Sequence, residues 1–149
     1  MIGAVLALAC APVAVQAQPQ DCQGTPSGAR LTVVVEGVRS SQGMVVANLY
    51  GADKRRFLAD NGELHIWHVP ARTDTTSLCF WLPAPGPYEV VVFHDVNANR
   101  NLDMGIFFPK EAYGFSNNVR PVLSAPSLES ARFMAAPGDT TIHIRLRYP

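Results

Sequence analysis

Thr140-Thr141-Ile142-His143-Ile144-Arg145-Leu146-Arg147-Tyr148 alternates cleanly, with Ile142, Ile144, Leu146 and Tyr148 on one side and His143, Arg145 and Arg147 on the other. A period of two marks an extended strand with one face on a core and one in water, because successive side chains leave opposite faces. Similar runs recur upstream. Leu31-Thr32-Val33-Val34-Val35-Glu36 sets Leu31, Val33 and Val35 on one face. Arg39-Ser40-Ser41-Gln42-Gly43 has turn chemistry, and Met44 to Tyr50 follows as a second strand, so the two read as a hairpin. His65-Ile66-Trp67, Thr75 to Leu82 and Ala131 to Ala136 supply further short runs. Pro83-Ala84-Pro85-Gly86-Pro87 is a rigid turn into Tyr88-Glu89-Val90-Val91-Val92-Phe93. No helical period of comparable length is present. The pattern predicts an all-β fold, a single β-sandwich of about seven strands over residues 30–149.

Bulk properties agree with that architecture. The chain has 149 residues, enough for one domain with an ordinary core. Its 12 Pro and 11 Gly suit a turn-rich β protein. Twelve basic and twelve acidic side chains cancel, so no long-range field favours nucleic acid or an anionic membrane as a partner. The uncharged run MIGAVLALACAPVAVQAQ is short for a bilayer span and ends in the small-x-small pattern Val15-Gln16-Ala17. It is read as a signal peptide, residues 1–17, leaving Gln18 first, an exported chain and no transmembrane segment. A lipoprotein with its lipid on Cys10 fits less well, because Ala7 stands where Leu is usual. Cleavage would leave two cysteines, Cys22 in a polar arm (residues 18–29) and Cys79 in a strand. In an oxidising compartment an even pair is most simply a disulfide; neither neighbours a His, as a catalytic thiol would require.

After the run YEVVVF comes His94-Asp95-Val96-Asn97-Ala98-Asn99-Arg100-Asn101-Leu102-Asp103. Acids and amides fall on alternate positions, a spacing that in a tight loop aims their oxygens at one point. Hard cations such as calcium take six to eight oxygen ligands, so Asp95, Asn97, Asn99, Asn101 and Asp103 form a candidate calcium set. Arg100 stands where a Gly usually makes the turn, and Ile106 where a bidentate Glu would stand; Glu111 could close the site instead. Two formal negative charges predict weak affinity, roughly 10⁻⁴ to 10⁻³ M. The alternative is an Asx-rich turn, in which the same side chains cap their own backbone without metal. Residues 95–130 contain no long strand but carry Phe107, Phe108, Tyr113 and Phe115, which predicts an ordered flap.

HDVNANRNLD, followed by Phe108-Pro109-Lys110-Glu111-Ala112-Tyr113-Gly114-Phe115-Ser116-Asn117-Asn118, resembles the signature of the family catalogued as domain of unknown function 2141, secreted bacterial proteins. Leu82-Pro83 with Gly86-x-Tyr88, and Ala125-Pro126-Ser127 to Phe133, extend the resemblance over roughly residues 30 to 148. The resemblance implies a β-sandwich of prealbumin-like or immunoglobulin-like type, akin to carboxypeptidase-regulatory-like modules, and no established activity.

The expected role is therefore a non-enzymatic binding or structural module of the cell envelope, with an envelope protein or a glycan as partner. His94, Lys110, Tyr113, Phe115, Ser116 and Asn117 are the flap and binding candidates. A hydrolase-like enzyme using His94, Asp95 and Glu111 is one alternative; it requires those side chains to converge on an open cleft. His65 and His68 sit three apart on a strand and point to opposite faces, which disfavours a shared metal. A carbohydrate-binding module built on Trp67, Trp81, Tyr113 and Phe115 is the other alternative, and it requires exposed, coplanar rings.

Overall fold

The computed structural model of the chain describes residues 22–149. The expected signal peptide, Cys10 and Gln18 lie outside the described residues. Eight strands follow in chain order: β1 (Ala29–Val38), β2 (Met44–Gly51), β3 (His65–Pro70), β4 (Asp74–Trp81), β5 (Gly86–Asp95), β6 (Tyr113–Phe115), β7 (Phe133–Ala135) and β8 (Gly138–Arg145). A 3-10 turn, Ser116–Asn118, follows β6, and one four-residue helix, α1 (Leu128–Ala131), precedes β7. One sheet has the order β4-β1-β8, the other β3-β2-β5-β6, with β7 pairing the start of β5. Among the described residues no helix is long and apolar enough to cross a membrane.

The strand alternation translates directly into layers. Along β1, Leu31, Val33 and Val35 are buried between the sheets while Thr32, Val34 and Glu36 are half-buried on the outside. Ile144 and Leu146 join the same core from the last run, and His143 turns outward, as the sequence predicts. There His143 Nδ1 lies 2.9 Å from Glu36 Oε1, and that hydrogen bond holds the Glu36 carboxyl below its ordinary range. β8 is shorter than the alternation, ending at Arg145: Leu146 N–H makes the last bond to β1, at the Glu36 carbonyl, and Arg147 then pairs with Tyr113 of the other sheet.

The expected β1–β2 hairpin does not form. β1 pairs antiparallel with β4 and parallel with β8, whereas β2 pairs with β3 and β5. Residues 39–43 are an arch between sheets. A turn-rich pentapeptide fits either connection, since hairpin and arch differ in what the second strand pairs with. Gly43, at φ +73°, takes the arch past the Asp95 carbonyl, where a Cβ would collide.

β5 is the strand that positions the site. From Tyr88 to Asp95 every residue is buried. Tyr88, Val90 and Val92 face the inter-sheet core. Glu89, Val91, Phe93 and Asp95 face the other way, beneath a second layer made by the flap. There Val91, Tyr50, Phe115 and Ala131 form a small cluster, with Phe57, Tyr113 and Val119 packed against it. A strand covered on both faces loses the polar/apolar alternation, which is why YEVVVF is almost continuously apolar.

The N-terminal arm runs beside β4. Cys22 and Cys79 form a disulfide, and Gln23 bonds on either side of Phe80, its N–H to Cys79 and its carbonyl to Trp81.

Candidate functional site

His94 and Asp95 end β5 on opposite faces. His94 is buried on the inner side, with Nε2 2.8 Å from the Gln42 carbonyl oxygen and Nδ1 3.3 Å from the Tyr148 hydroxyl. A carbonyl only accepts, so Nε2 carries a hydrogen. The Tyr148 hydroxyl also accepts the Arg39 N–H at 2.8 Å, and the Arg39 guanidinium lies over its ring. His94 thus ties the arch to the C-terminus.

Asp95 is buried on the outer side. Its Oδ1 accepts the N–H of Asn99 at 3.1 Å and its Oδ2 that of Arg100 at 2.6 Å. These bonds wrap the backbone around one carboxylate, with Ala98 (φ +57°) and Arg100 (φ +67°) in left-handed conformation. The loop therefore makes the turn that Gly would favour with Arg in its place. Asn97 Oδ1 caps the Asn99 N–H, and Asn99 Oδ1 caps that of Asn101. The Asp103 carboxylate receives the side-chain amides of Asn97 (2.8 Å) and Asn99 (3.0 Å). Glu111 closes the ring: its two oxygens accept the N–H groups of Val96 and Asp103, each at 3.1 Å.

The donor set is hard oxygen throughout, as calcium prefers. Each carboxylate oxygen of Asp95 accepts one hydrogen and keeps lone-pair capacity. Asp95, Asn97, Asn99, the Asn101 carbonyl and Asp103 would be the residues to hold such an ion. Glu111 is bound to backbone across the loop, so its place is as a clasp. Among the described residues no group of three or more His, Cys, Asp or Glu side chains is disposed around a common point for a metal. His94, Asp95 and Glu111 do not line a common cleft, because β5 sends the first two to opposite faces.

The flap motif is built into the frame. Lys110 N–H bonds the Asp103 carbonyl, closing a small hairpin whose tip is 104–109; its ammonium is exposed. Tyr113 exchanges both backbone hydrogen bonds with Arg147, linking the two sheets. Gly114 packs against β8, where a Cβ would sit 2.7 Å from Ile144 Cγ2. Phe115 fills the outer cluster, and its ring meets Tyr113 edge-on at 85°. Ser116 is buried, its hydroxyl accepting the Val90 N–H at 3.0 Å and donating to the Ala131 carbonyl. Asn117 Nδ2 donates to the Ser130 and Arg132 carbonyls. Asn118 lies against β8 like a one-residue strand, accepting the Arg145 N–H (2.8 Å) and donating to the His143 carbonyl (3.2 Å). Trp67 packs on the core, and Trp81 is half-buried with the Arg30 guanidinium 5.9 Å from its ring, so neither continues the Tyr113–Phe115 pair as a coplanar platform.

Two features were not singled out from the sequence. Two adjoining cavities lie over the outer face of β5, meeting at Leu58, Val91 and Leu102. One, about 350 Å³, is apolar and walled by Met104, Phe107, Phe108 and Leu123; the other, about 530 Å³, is polar, with Asn48, Asp60, Glu63 and Arg100. Their walls come from five separate segments, so no local motif announces them. At the polar end the Tyr50 hydroxyl bonds Glu63 Oε1 at 3.0 Å; burial and that carboxylate push the phenol well up. The second feature is an ion pair beneath the flap: Glu89 is fully buried, and Arg132 Nε meets its Oε1 at 2.9 Å. Oε2 has no protein partner, and burial raises the carboxyl above its ordinary range against the pull of Arg132. An isolated Glu in an apolar strand was the available signal.

A family model described as an uncharacterized protein conserved in bacteria (DUF2141) matches residues 33–143. No curated protein and no solved structure matches the chain.

Proposed function

The chain belongs to the domain of unknown function 2141 family of bacterial proteins, and from that premise we propose that it is an exported, non-enzymatic binding module of the cell envelope whose 94–111 loop clasps the flap to the sheet and takes calcium weakly. The observation that carries this reading is the bonding of the site side chains. His94, Asp95, Asp103 and Glu111 are all committed to groups of the chain itself, as structural anchors are, while the exposed, shaped surface lies beside them in the groove. A nucleophile or base needs a free lone pair facing substrate. Export is supported by the apolar N-terminal run and by a disulfide, a bond that persists in oxidising compartments.

Calcium would add an electrostatic tie among Asp95, Asn97, Asn99, Asn101 and Asp103, all already held in one turn by backbone hydrogen bonds. With a Kd of ~1 mM, ~10 mM calcium stabilises the fold by about 1.4 kcal/mol. That is smaller than the hydrogen bonds of the Asp95 carboxylate, about 1.5–3 kcal/mol each, so the cage forms first and the ion reinforces it. Protein recovered from the exported fraction, expected to begin at Gln18, is dialysed against EDTA and melted with and without calcium. The expected rise is about 5 °C, absent in Asp95→Ala. Should that variant fail to fold, Asp103→Asn removes a charge from the same set. A melt that calcium leaves unmoved removes calcium from the reading and leaves the hydrogen-bonded clasp alone.

A further inference from the structure

The charge balance of the whole chain is not distributed evenly. From Met104 to Pro126 the side-chain charges are Lys110, Arg120 and Glu111, and Glu111 is buried against backbone N–H groups. Both cations are exposed, and among the described residues neither joins an ion pair. The same stretch holds the most exposed large apolar side chains of the described residues: Leu123 (95%), Ile106 (91%), Phe107 (84%) and Val122 (79%). They lie on two tips, 104–109 and 120–125, and both tips contribute residues to the wall of the apolar cavity.

We infer that these two tips dock the protein on a membrane surface carrying anionic lipid. Side chains this exposed stand clear of the body rather than forming a flat, packed face. A protein partner would need a pocket shaped for each, whereas the headgroup–acyl boundary of a fluid bilayer accepts any apolar projection. Charge complementarity selects the lipid. Lys110 and Arg120 flank the tips where lipid phosphates would lie, and no exposed carboxylate in the stretch opposes them. The acids lining the groove, Asp60 and Glu63, belong to the polar cavity, and the Asp103 carboxylate at the base of the first tip is taken up by the side-chain amides of Asn97 and Asn99. The clasp has a role here too: Asp103 N–H on Glu111, and the Asp103 carbonyl on Lys110 N–H, fix the base of the first tip so that Ile106 and Phe107 are presented without a large ordering penalty.

The test uses the full chain and vesicles of phosphatidylcholine, alone or mixed with phosphatidylglycerol. Phe107→Trp places a probe at the tip, and brominated lipid is expected to quench it beyond any quenching of a parent chain carrying Trp67 and Trp81 alone. That signal reports residue 107 and not the apolar N-terminal run. Phe107→Asp with Leu123→Asp is expected to lower partitioning more than tenfold, given roughly tenfold for each large apolar side chain withdrawn. Lys110→Gln and Arg120→Gln should each lower binding about fivefold, on anionic vesicles only. All four positions are exposed, so unchanged melts confirm folding. Absence of Trp quenching on anionic vesicles overturns the inference, as does unchanged partitioning of the double Asp variant. A dimer in sedimentation that the same variant dissociates, without vesicle binding, overturns it in favour of contact between copies.

Discussion

Glu89 shows how much one residue can set. It lies in the centre of β5, its carboxyl fully buried under the flap, with one oxygen on Arg132 and the other unbonded. Its proton affinity in the fold exceeds that of the unfolded chain, because burial penalises the anion more than Arg132 rewards it. The folded state therefore binds more protons through the interval above the ordinary value of 4.5, and stability declines as pH rises through it. Melting temperature measured across that interval should show this decline, and Glu89→Gln should flatten it. An equal slope in the variant would place the pH dependence elsewhere. Glu89 was legible only as an anomaly in an apolar run; its partner comes from 43 residues away, beyond local pattern. Arg100 illustrates the converse. It stands where a Gly is usual, yet the bonds of Asn99 N–H and Arg100 N–H to Asp95 and a left-handed φ make the turn, at a conformational penalty of about 1 kcal/mol.

At the scale of elements, the segment from Ser116 to Arg132 roofs β5 with little regular structure of its own. It is held by single side chains that substitute for a ladder. Ser116 bonds both the sheet and α1, so Ser116→Ala leaves the buried Val90 N–H and the Ala131 carbonyl unpaired at once. The expected destabilisation is about 1–3 kcal/mol. Hydrogen exchange should quicken first at Val90 and across 128–132; a loss spread evenly over both sheets would contradict a local role for Ser116. Strands were read well wherever one face met water, as in β1, β4 and β8, because alternation is a local property. Pairing was not, since the arch at 39–43 is decided by β4 and β8 arriving later to flank β1. The motif Tyr113 to Asn118 was visible as a unit, but its members act mainly on backbone of other elements, which spacing alone does not encode.

For the molecule as a whole, the Cys22–Cys79 bond closes a loop of 57 residues. Restricting the unfolded chain to that extent contributes about 4 kcal/mol. Reduction, or Cys22→Ser with Cys79→Ser, should lower the melting temperature by about 15 °C. A shift of a degree or two would mean that the arm's backbone bonds to β4 already hold it. Sandwich and loop were both legible from the chain; the groove was not, because it exists only where the 58 loop, β5 and the two flap tips meet.

The pairing of first and last strands also orders events in time. β1 is the middle of a three-stranded sheet, and β8, its parallel partner, joins residues as distant as Arg30 and Asp139, 109 positions apart. As the chain leaves the ribosome, β1 waits with one edge bare until β8 emerges, and its sheet has only two strands until then. A polypeptide that cannot close this sheet until β8 has been made stays unfolded and threadable up to that point, which is the state that the export proposed above would require of it.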